Sequence, residues 1–263
     1  MGANWPRGLL AGPDADITRR LALPPPRPKV AVGLGLPFKV KLVSTEAQLL
    51  RVQGLRQTAY GRHLPDQAAA FGQADPQDRA PGTIIVYAED KQTGLIVGSA
   101  RIQSNRFAPL QIEGSIELPP EQRGRMLAEI TRLCVMPGYD AKVRLALLKA
   151  VHLYSIAMQI GGVVAGSRRS LLRTYEALGF EDLYGDERMC TLKHAGGLPH
   201  RVLFRDTLAA DAQVREKRPQ DYDFVFREFH PDVEVFDALA AAVSFGGTYA
   251  NRVAAQAEWP QAA

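Results

Sequence analysis

The stretch AEITRLCVMPG, residues 128–138, decides how this chain is read. Ile130 to Val135 has the composition of a buried β-strand. Yet Arg132 sits inside it and Glu129 just before it, and a charge without a partner is costly to bury. Either the two pair, or something polar binds beside the strand. In a regular strand, positions 129 and 132 point to opposite faces, so a site shared by both requires a bulge or a twisted strand.

Strands and helices alternate outward from this point. Upstream, FKVKLV (38–43) is a short strand. A helix over 44–60 follows, where Thr45 and Gln48 fit a capping box and Leu49, Val52 and Leu55 mark one face. Residues 82–104 hold two β-rich runs around DKQTG, the signature of a hairpin. LQIEGSIEL (110–118) is a further strand or an irregular excursion, and in PPEQRGRMLA (119–128) prolines precede a helix-forming run.

Downstream, Val143, Leu147, Val151, Tyr154 and Met158 recur at helical spacing, and the helix they predict ends at Gly161-Gly162. GVVAGS (162–167) reads as a buried strand, SLLRTYEALGF (170–180) as a helix stopped by Gly179, and ERMCTLKH (187–194) and HRVLFRDT (200–207) as strands. The succession implies an α/β fold, a mixed central sheet with helices on both faces. A Pro-rich irregular arm (1–37) precedes the α/β domain (38–206), and a mostly helical extension (207–263) follows it.

The 263 residues are 46% hydrophobic and 23% charged, with a net charge of +4, the balance of a soluble globular protein. The charge is too mild for a dedicated nucleic-acid binder, and no apolar run is long enough for an integral membrane segment. A cytoplasmic location is expected. Cys134 and Cys190 read as buried free thiols. His63, His152, His194, His200 and His230 are scattered without metal-ligand spacing, so no metal and no tightly bound cofactor are expected.

The order of hairpin, charged strand, long helix and short strand, followed by RTYEALGF (173–180), resembles the Gcn5-related N-acetyltransferase fold over roughly 38–206. A closer likeness lies in Glu129-x-x-Arg132 taken with VGSARI (97–102) and LRQTAY (55–60). It is similar to the acyl-homoserine-lactone synthases and the related N-acyl amino acid synthases. That resemblance implies an N-acyltransferase that uses a thioester donor.

It also implies roles. Glu129 accepts a proton from the acceptor's ammonium, unless it is held in a salt bridge to Arg132 or Arg101. Tyr175 protonates the leaving sulfur, or packs its ring in the core. Arg56, Arg101 and Arg132, with Tyr60 on the first helix, bind the carboxylate of an amino acid, or are structural. The backbone of Leu133, Cys134, Val135 and Met136 pairs with a pantetheine arm as with an added strand. Lys142, Arg144, Arg168 and Arg169, at or just before predicted helix N-termini, meet the phosphate and acidic face of a carrier, or are merely solvated. The apolar stripe of Leu147, Val151 and Tyr154 lines an acyl tunnel or is simply core.

Two departures from these relatives matter. The acetyl-CoA users carry a Gln/Arg-x-x-Gly-x-Gly/Ala phosphate loop where this chain reads MPGYDAKVR (136–144), which favours acyl carrier protein, through its acyl-phosphopantetheine thioester, over acyl-CoA. The lactone synthases place an acidic pair after the first helix for S-adenosylmethionine, and GRHLPDQ (61–67) offers only Asp66. The expectation is therefore acyl transfer from acyl carrier protein to the α-amine of an amino acid. The rivals are a lactone synthase using S-adenosylmethionine, an acyl-CoA N-acyltransferase, and a silent acyl- or carrier-binding module.

Overall fold

The computed structural model describes residues 31–32, 35–62, 64–65, 68–139 and 141–236. Most of the predicted arm, the predicted helical stretch from 237 onward, His63 and Asp66 lie outside the described residues. The strands are β1 (Ala31–Val32), β2 (Phe38–Leu42), β3 (Thr83–Asp90), β4 (Ile96–Ser104), β5 (Leu127–Val135), β6 (Gly162–Ser167), β7 (Glu181–Asp182), β8 (Met189–Leu192), β9 (Leu198–Asp206), β10 (Glu228–Phe229) and β11 (Val233–Glu234). The helices are α1 (Glu46–Gly61), α2 (Ala68–Phe71), α3 (Ala141–Ala157), α4 (Leu172–Ala177), α5 (Ala210–Lys217) and α6 (Pro219–Tyr222).

β11, β2, β3, β4, β5, β6, β9 and β7 form one sheet in that order, with β8 also paired to β9. Its ladders are antiparallel except β5 with β6 and β11 with β2. Alternation along the predicted hairpin feeds both faces. Val86 and Ala88 join Val143, Leu147, Val151 and Tyr154 of α3 in the larger core, while Ile85 and Tyr87 meet Leu49, Val52 and Leu55 of α1. The Thr45 capping box starts α1 as the spacing predicts, the Thr45 hydroxyl accepting from the Gln48 amide and the Gln48 side chain from the Thr45 amide. No helix among the described residues is long and apolar enough to cross a membrane.

Two predicted elements differ, and one left open is resolved. Residues 119–128 do not form a helix: a single 3₁₀ turn, Pro120–Gln122, is followed by Gly124 at φ +74°, and the chain then runs extended into β5. Leu127 joins the β6 ladder, Ala128 joins those of β4 and β6, and both are fully buried, which outweighs helix propensity. LQIEGSIEL takes the irregular alternative, contributing the turn Gln111–Gly114. After α3, Gln159 rather than a glycine takes the left-handed turn, at φ +55°. Gly162 instead lies in β6, where a Cβ would come within 2.3 Å of the Phe204 ring.

Over its described residues the extension is helical through α5 and α6 and then turns to strand, β11 joining the sheet beside β2. Lys149 of α3 fastens it: its buried ammonium donates to the carbonyls of Phe224, Val225 and Glu228 at 2.6, 3.1 and 2.8 Å.

β5 carries the feature that positions the site. It pairs with β6 only from Leu127 to Ile130, whereas β6 continues along β9 to Ser167. Opposite β4, Ser99 pairs with Cys134 and Arg101 with Thr131, so Arg132 and Leu133 together face the single residue Ala100. This is a β-bulge, and Arg132 stands in it at φ +55°. Beyond Ile130 the β6-facing edge of β5 is open.

At that end of the sheet α3 lies close to β4. A Cβ on Gly98 would sit 2.7 Å from Val143 Cγ1 and 3.1 Å from Leu147 Cδ1. Gly98→Ala is expected to overpack this contact and cost about 1–3 kcal/mol, read as a lower urea midpoint at unchanged m-value.

Candidate active site

Where β5 parts from β6, a cavity of about 500 Å³ opens. Thr131 to Val135 form one wall, Gly166 and Arg168 stand opposite, Tyr60, Leu64 and Phe71 come from the α1–α2 side, and Tyr175 from α4. The segment from Leu192 to His200 closes another side. Of the predicted site residues, the cavity gathers Tyr60, Arg132, Leu133, Cys134, Val135, Arg144, Arg168 and Tyr175.

The remaining predicted residues lie elsewhere. Arg56 and Arg101 are almost fully buried and do not line the cavity. Met136 turns its amide to β4, donating to the Val97 carbonyl at 2.7 Å, so it is not open to an added strand. Lys142 lines a second cavity, near the N-terminus of α3, and stands over the Phe224 ring. Arg144 borders both cavities, and Arg169 borders neither. Leu147, Val151 and Tyr154 are core rather than tunnel wall. The apolar lining comes instead from Ala59, Leu64, Phe71, Ile130, Leu171 and Leu192. Cys134 is buried, but Cys190 is only half-buried, against expectation.

Glu129 pairs with neither Arg132 nor Arg101. Its side chain is wholly buried; Oε2 accepts from the Ile112 amide at 2.9 Å, and Oε1 lies 3.0 Å from Nε2 of His194. The arginines have other partners, Asp75 and Asp78, in the segment that follows α2. Arg56 donates to Asp78 at 2.6 Å. Arg101 donates to Asp75 at 2.6 Å, Asp78 at 3.2 Å, Thr131 Oγ1 at 2.8 Å and Gln111 Oε1 at 2.7 Å. Arg132 reaches the same Asp75 oxygen at 3.3 Å and lies over the Phe71 ring. Because of the bulge, consecutive residues Thr131 and Arg132 both join this network on one face.

Two aspartates, Asp75 and Asp78, do follow the first helices, but both carboxylates are engaged by arginines and neither lines the cavity. Every charged or imidazole side chain that does line it among the described residues is basic: Arg132, Arg144, Arg168, His194 and His200. The two histidines carried no spacing signal. Asp75 and Asp78 carried a weak one, as a DPQD turn after a helix.

Burial sets the chemistry of the hydroxyls and the thiol. It pushes the Tyr175 phenol up to about 12, with the charge of Arg144 opposing, so Tyr175 holds its proton at neutral pH. It also pushes up the Tyr60 phenol, whose hydroxyl donates to the Leu133 carbonyl at 3.2 Å on the open part of β5. Burial likewise raises the Cys134 thiol, which leaves little nucleophilic thiolate.

A sheet wedged open beside a bulged strand, with a protonated tyrosine facing the gap, is the layout of an N-acyltransferase of the Gcn5-related fold. The model of the N-acyl amino acid synthase FeeM family matches residues 51–202, over half of the chain, and the protein belongs to that family. It is an N-acyltransferase. FeeM itself, an N-acyl amino acid synthase from uncultured soil microbes, is similar in structure at a TM-score of 0.53 and 13% identity, over 67% of this chain and 93% of that one. TofI, solved in a ternary complex with an inhibitor and MTA, is similar at 0.50 and 15% identity, over 68% and 95%. At these identities both bear on the fold alone. No curated protein matches the sequence.

Removing the Asp78 carboxylate in Asp78→Asn leaves Arg56 and Arg101 short of a buried counter-charge, and a loss of about 3–5 kcal/mol is expected in chemical denaturation. Asp75 gives a pH signature. Burial works to raise its carboxyl, but the charge and hydrogen bond of Arg101, the Gln77 amide and Arg132 together hold it below its ordinary 3.8. Its contribution to stability is thus present above pH 3.8 and is lost as pH falls toward the lower folded value. Asp75→Asn is expected to flatten that acid limb in a stability-against-pH series.

Proposed function

We propose that the enzyme transfers an acyl chain from the phosphopantetheine thioester of acyl carrier protein to the α-amine of an amino acid. One observation carries this reading: the cavity along the open edge of β5 is lined by cationic and imidazole groups, with no carboxylate among the described lining residues. Such a lining favours an acceptor bearing a carboxylate, and Arg132, its side chain 22% exposed and its planar fork directed at anions, is the anchor for it.

The donor arm lies along Leu133 to Val135 as an added strand. Arg144 and Arg168 receive its phosphate. The acyl chain packs among Leu64, Phe71, Ile130 and Leu192, while Tyr175 delivers a proton to the departing thiolate. The segment 136–140 between β5 and α3, without the glycine pattern of a pyrophosphate cradle, favours the carrier over coenzyme A.

The lactone-synthase reading gains from Asp75 and Asp78. It loses more from the lining, because S-adenosylmethionine brings a sulfonium as well as an ammonium into a cationic cavity, and both aspartates are already neutralised by arginines.

The deciding assay measures thiol release from long-chain acyl carrier protein with a pool of amino acids, followed by product mass spectrometry. Amino-acid-dependent release with an N-acyl amino acid product is expected. Consumption of S-adenosylmethionine, or turnover with acyl-CoA alone, would replace the acceptor or the donor in this reading. Tyr175→Phe is expected to lower kcat by about 100-fold or more with little change in KM.

A further inference from the structure

Transfer to an amine needs a group that takes the ammonium's proton, and the cavity narrows the choice. Glu129, to which the resemblance gives that role, has no exposed surface and does not line the cavity. The lining arginines have no lone pair to offer, and burial keeps Tyr60, Tyr175 and Cys134 protonated. His194 lines the cavity, but its Nε2 faces Glu129 Oε1 at 3.0 Å and its Nδ1 is buried without a partner among the described residues.

His200 differs at both nitrogens. Its Nδ1 lies 2.8 Å from the Leu198 carbonyl, and a carbonyl only accepts, so Nδ1 carries the proton of the neutral ring. The lone pair is then on Nε2. That atom has no hydrogen-bond partner among the described residues and is not one of their buried unpartnered atoms, so it keeps accessible surface. His200 stands one position beyond the last β6–β9 pair, Ser167 with Arg201. The ring edge that bears Nε2 is beside the gap: Cδ2, bonded to Nε2, is 3.8 Å from where a Cβ on Gly166 would stand, and Gly166 and His200 both line the cavity.

We propose that His200 is the catalytic base of the transfer, its Nε2 taking the proton from the acceptor's ammonium while the Leu198 carbonyl fixes the tautomer. This rests on the acyl-transfer reading above. Proton chemistry is thereby divided between two elements: α4 supplies a phenol that holds its proton, and β9 an imidazole nitrogen that lacks one. Burial lowers the pKa of His200 below the ordinary 6.5; the Leu198 carbonyl opposes this, and the charges of Arg168 and His194 add to it. The ring is therefore the free base at neutral pH.

The step balances. The ammonium gives one proton to His200 and becomes a neutral amine, whose lone pair attacks the thioester carbonyl carbon. The carbon–sulfur bond breaks, and the thiolate takes the phenolic proton of Tyr175. The second amine proton, shed by the adduct, restores the phenol, and His200 passes its own proton to water. Thioester and ammonium thereby yield amide, thiol and one released proton.

The charged and titratable groups around His200 are Arg168 beyond β6, His194 from the turn before β9, Cys190 opposite it on β8, and Arg132 and Arg144 across the cavity. Its neighbour Arg201 is engaged by Asp182 and Glu187. The test measures kcat and kcat/KM for wild type, His200→Asn, His200→Ala and Glu129→Gln across about pH 5 to 9, with long-chain acyl carrier protein and the best amino acid acceptor. In wild type, kcat/KM is expected to fall as pH drops below 6.5 and the ring gains its second proton. Asparagine places an amide nitrogen where Nδ1 stands, which keeps the Leu198 hydrogen bond but leaves no base. His200→Asn is expected to lower kcat by about 100-fold or more and to abolish the acidic limb, while the melting temperature and the KM for the donor stay near wild type. Added imidazole restores part of the turnover of His200→Ala, and Glu129→Gln keeps the limb.

A His200→Asn variant that loses activity but retains the acidic limb gives the ring a structural part only and overturns the proposal. So does loss of the limb in Glu129→Gln with a wild-type profile in His200→Asn, which makes the carboxylate the base. A wild type that acylates no amine overturns the transfer reading and the base together.

Discussion

One residue out of register in β5 is the constraint on which the site depends. Arg132 at φ +55° adopts a conformation that costs a side-chain-bearing residue about 1–3 kcal/mol. The bulge it makes has two consequences. It places Thr131 and Arg132 on the same face of the sheet, and it follows directly on the point where β5 leaves β6. A regular strand would have continued the parallel ladder to Ser167 and filled the cavity with its own hydrogen bonds. The strain is held by what surrounds it: Asp75 on one side of the guanidinium, and the Phe71 ring beneath it.

That support is itself built from charges in a place where charges are costly. Arg56 and Arg101 are essentially without solvent, and three guanidinium groups share two carboxylates. Such a network seldom stabilises a fold more than apolar residues of equal volume, but it tolerates no missing partner. Its value here is geometric. Arg101 ties β4 to β5 through Thr131, to the segment after α2 through the aspartates, and to the 111–114 turn through Gln111. The same turn holds Glu129 through the Ile112 amide. The two charges that made the strand look anomalous are therefore fixed by one connected scaffold without touching each other.

Much of this was legible in the sequence. The DKQTG hairpin, the Thr45 cap and the stripe from Val143 to Tyr154 are local patterns, and local patterns survived into the fold. The motif Glu-x-x-Arg with a hairpin arginine and a helix arginine also placed the network's cations. Its anions went unread because Asp75 and Asp78 are defined only by what they meet across the chain, and a DPQD turn is common. The helix read into 119–128 failed because propensity says nothing of a strand position between two waiting ladders. The bulge left no mark, since arginine is an unlikely residue for positive φ. His194 went unread because it meets Glu129 across 65 positions, between a turn and a strand.

The distribution of charge then follows from burial. Glu129 and Asp78 are buried and Asp75, part-exposed, is held by Arg101 and Arg132, while Arg132, Arg144, Arg168, His194 and His200 line the cavity. The two aspartates therefore bear on the cavity through the arginines they hold. Under the proposed reaction, an amino acid's ammonium meets a lining of like sign, which favours its neutral form, the form the transfer needs. Its carboxylate meets the opposite preference and is held. On that reading the cavity favours a molecule that carries both groups, and the field that binds one of them assists loss of the proton from the other.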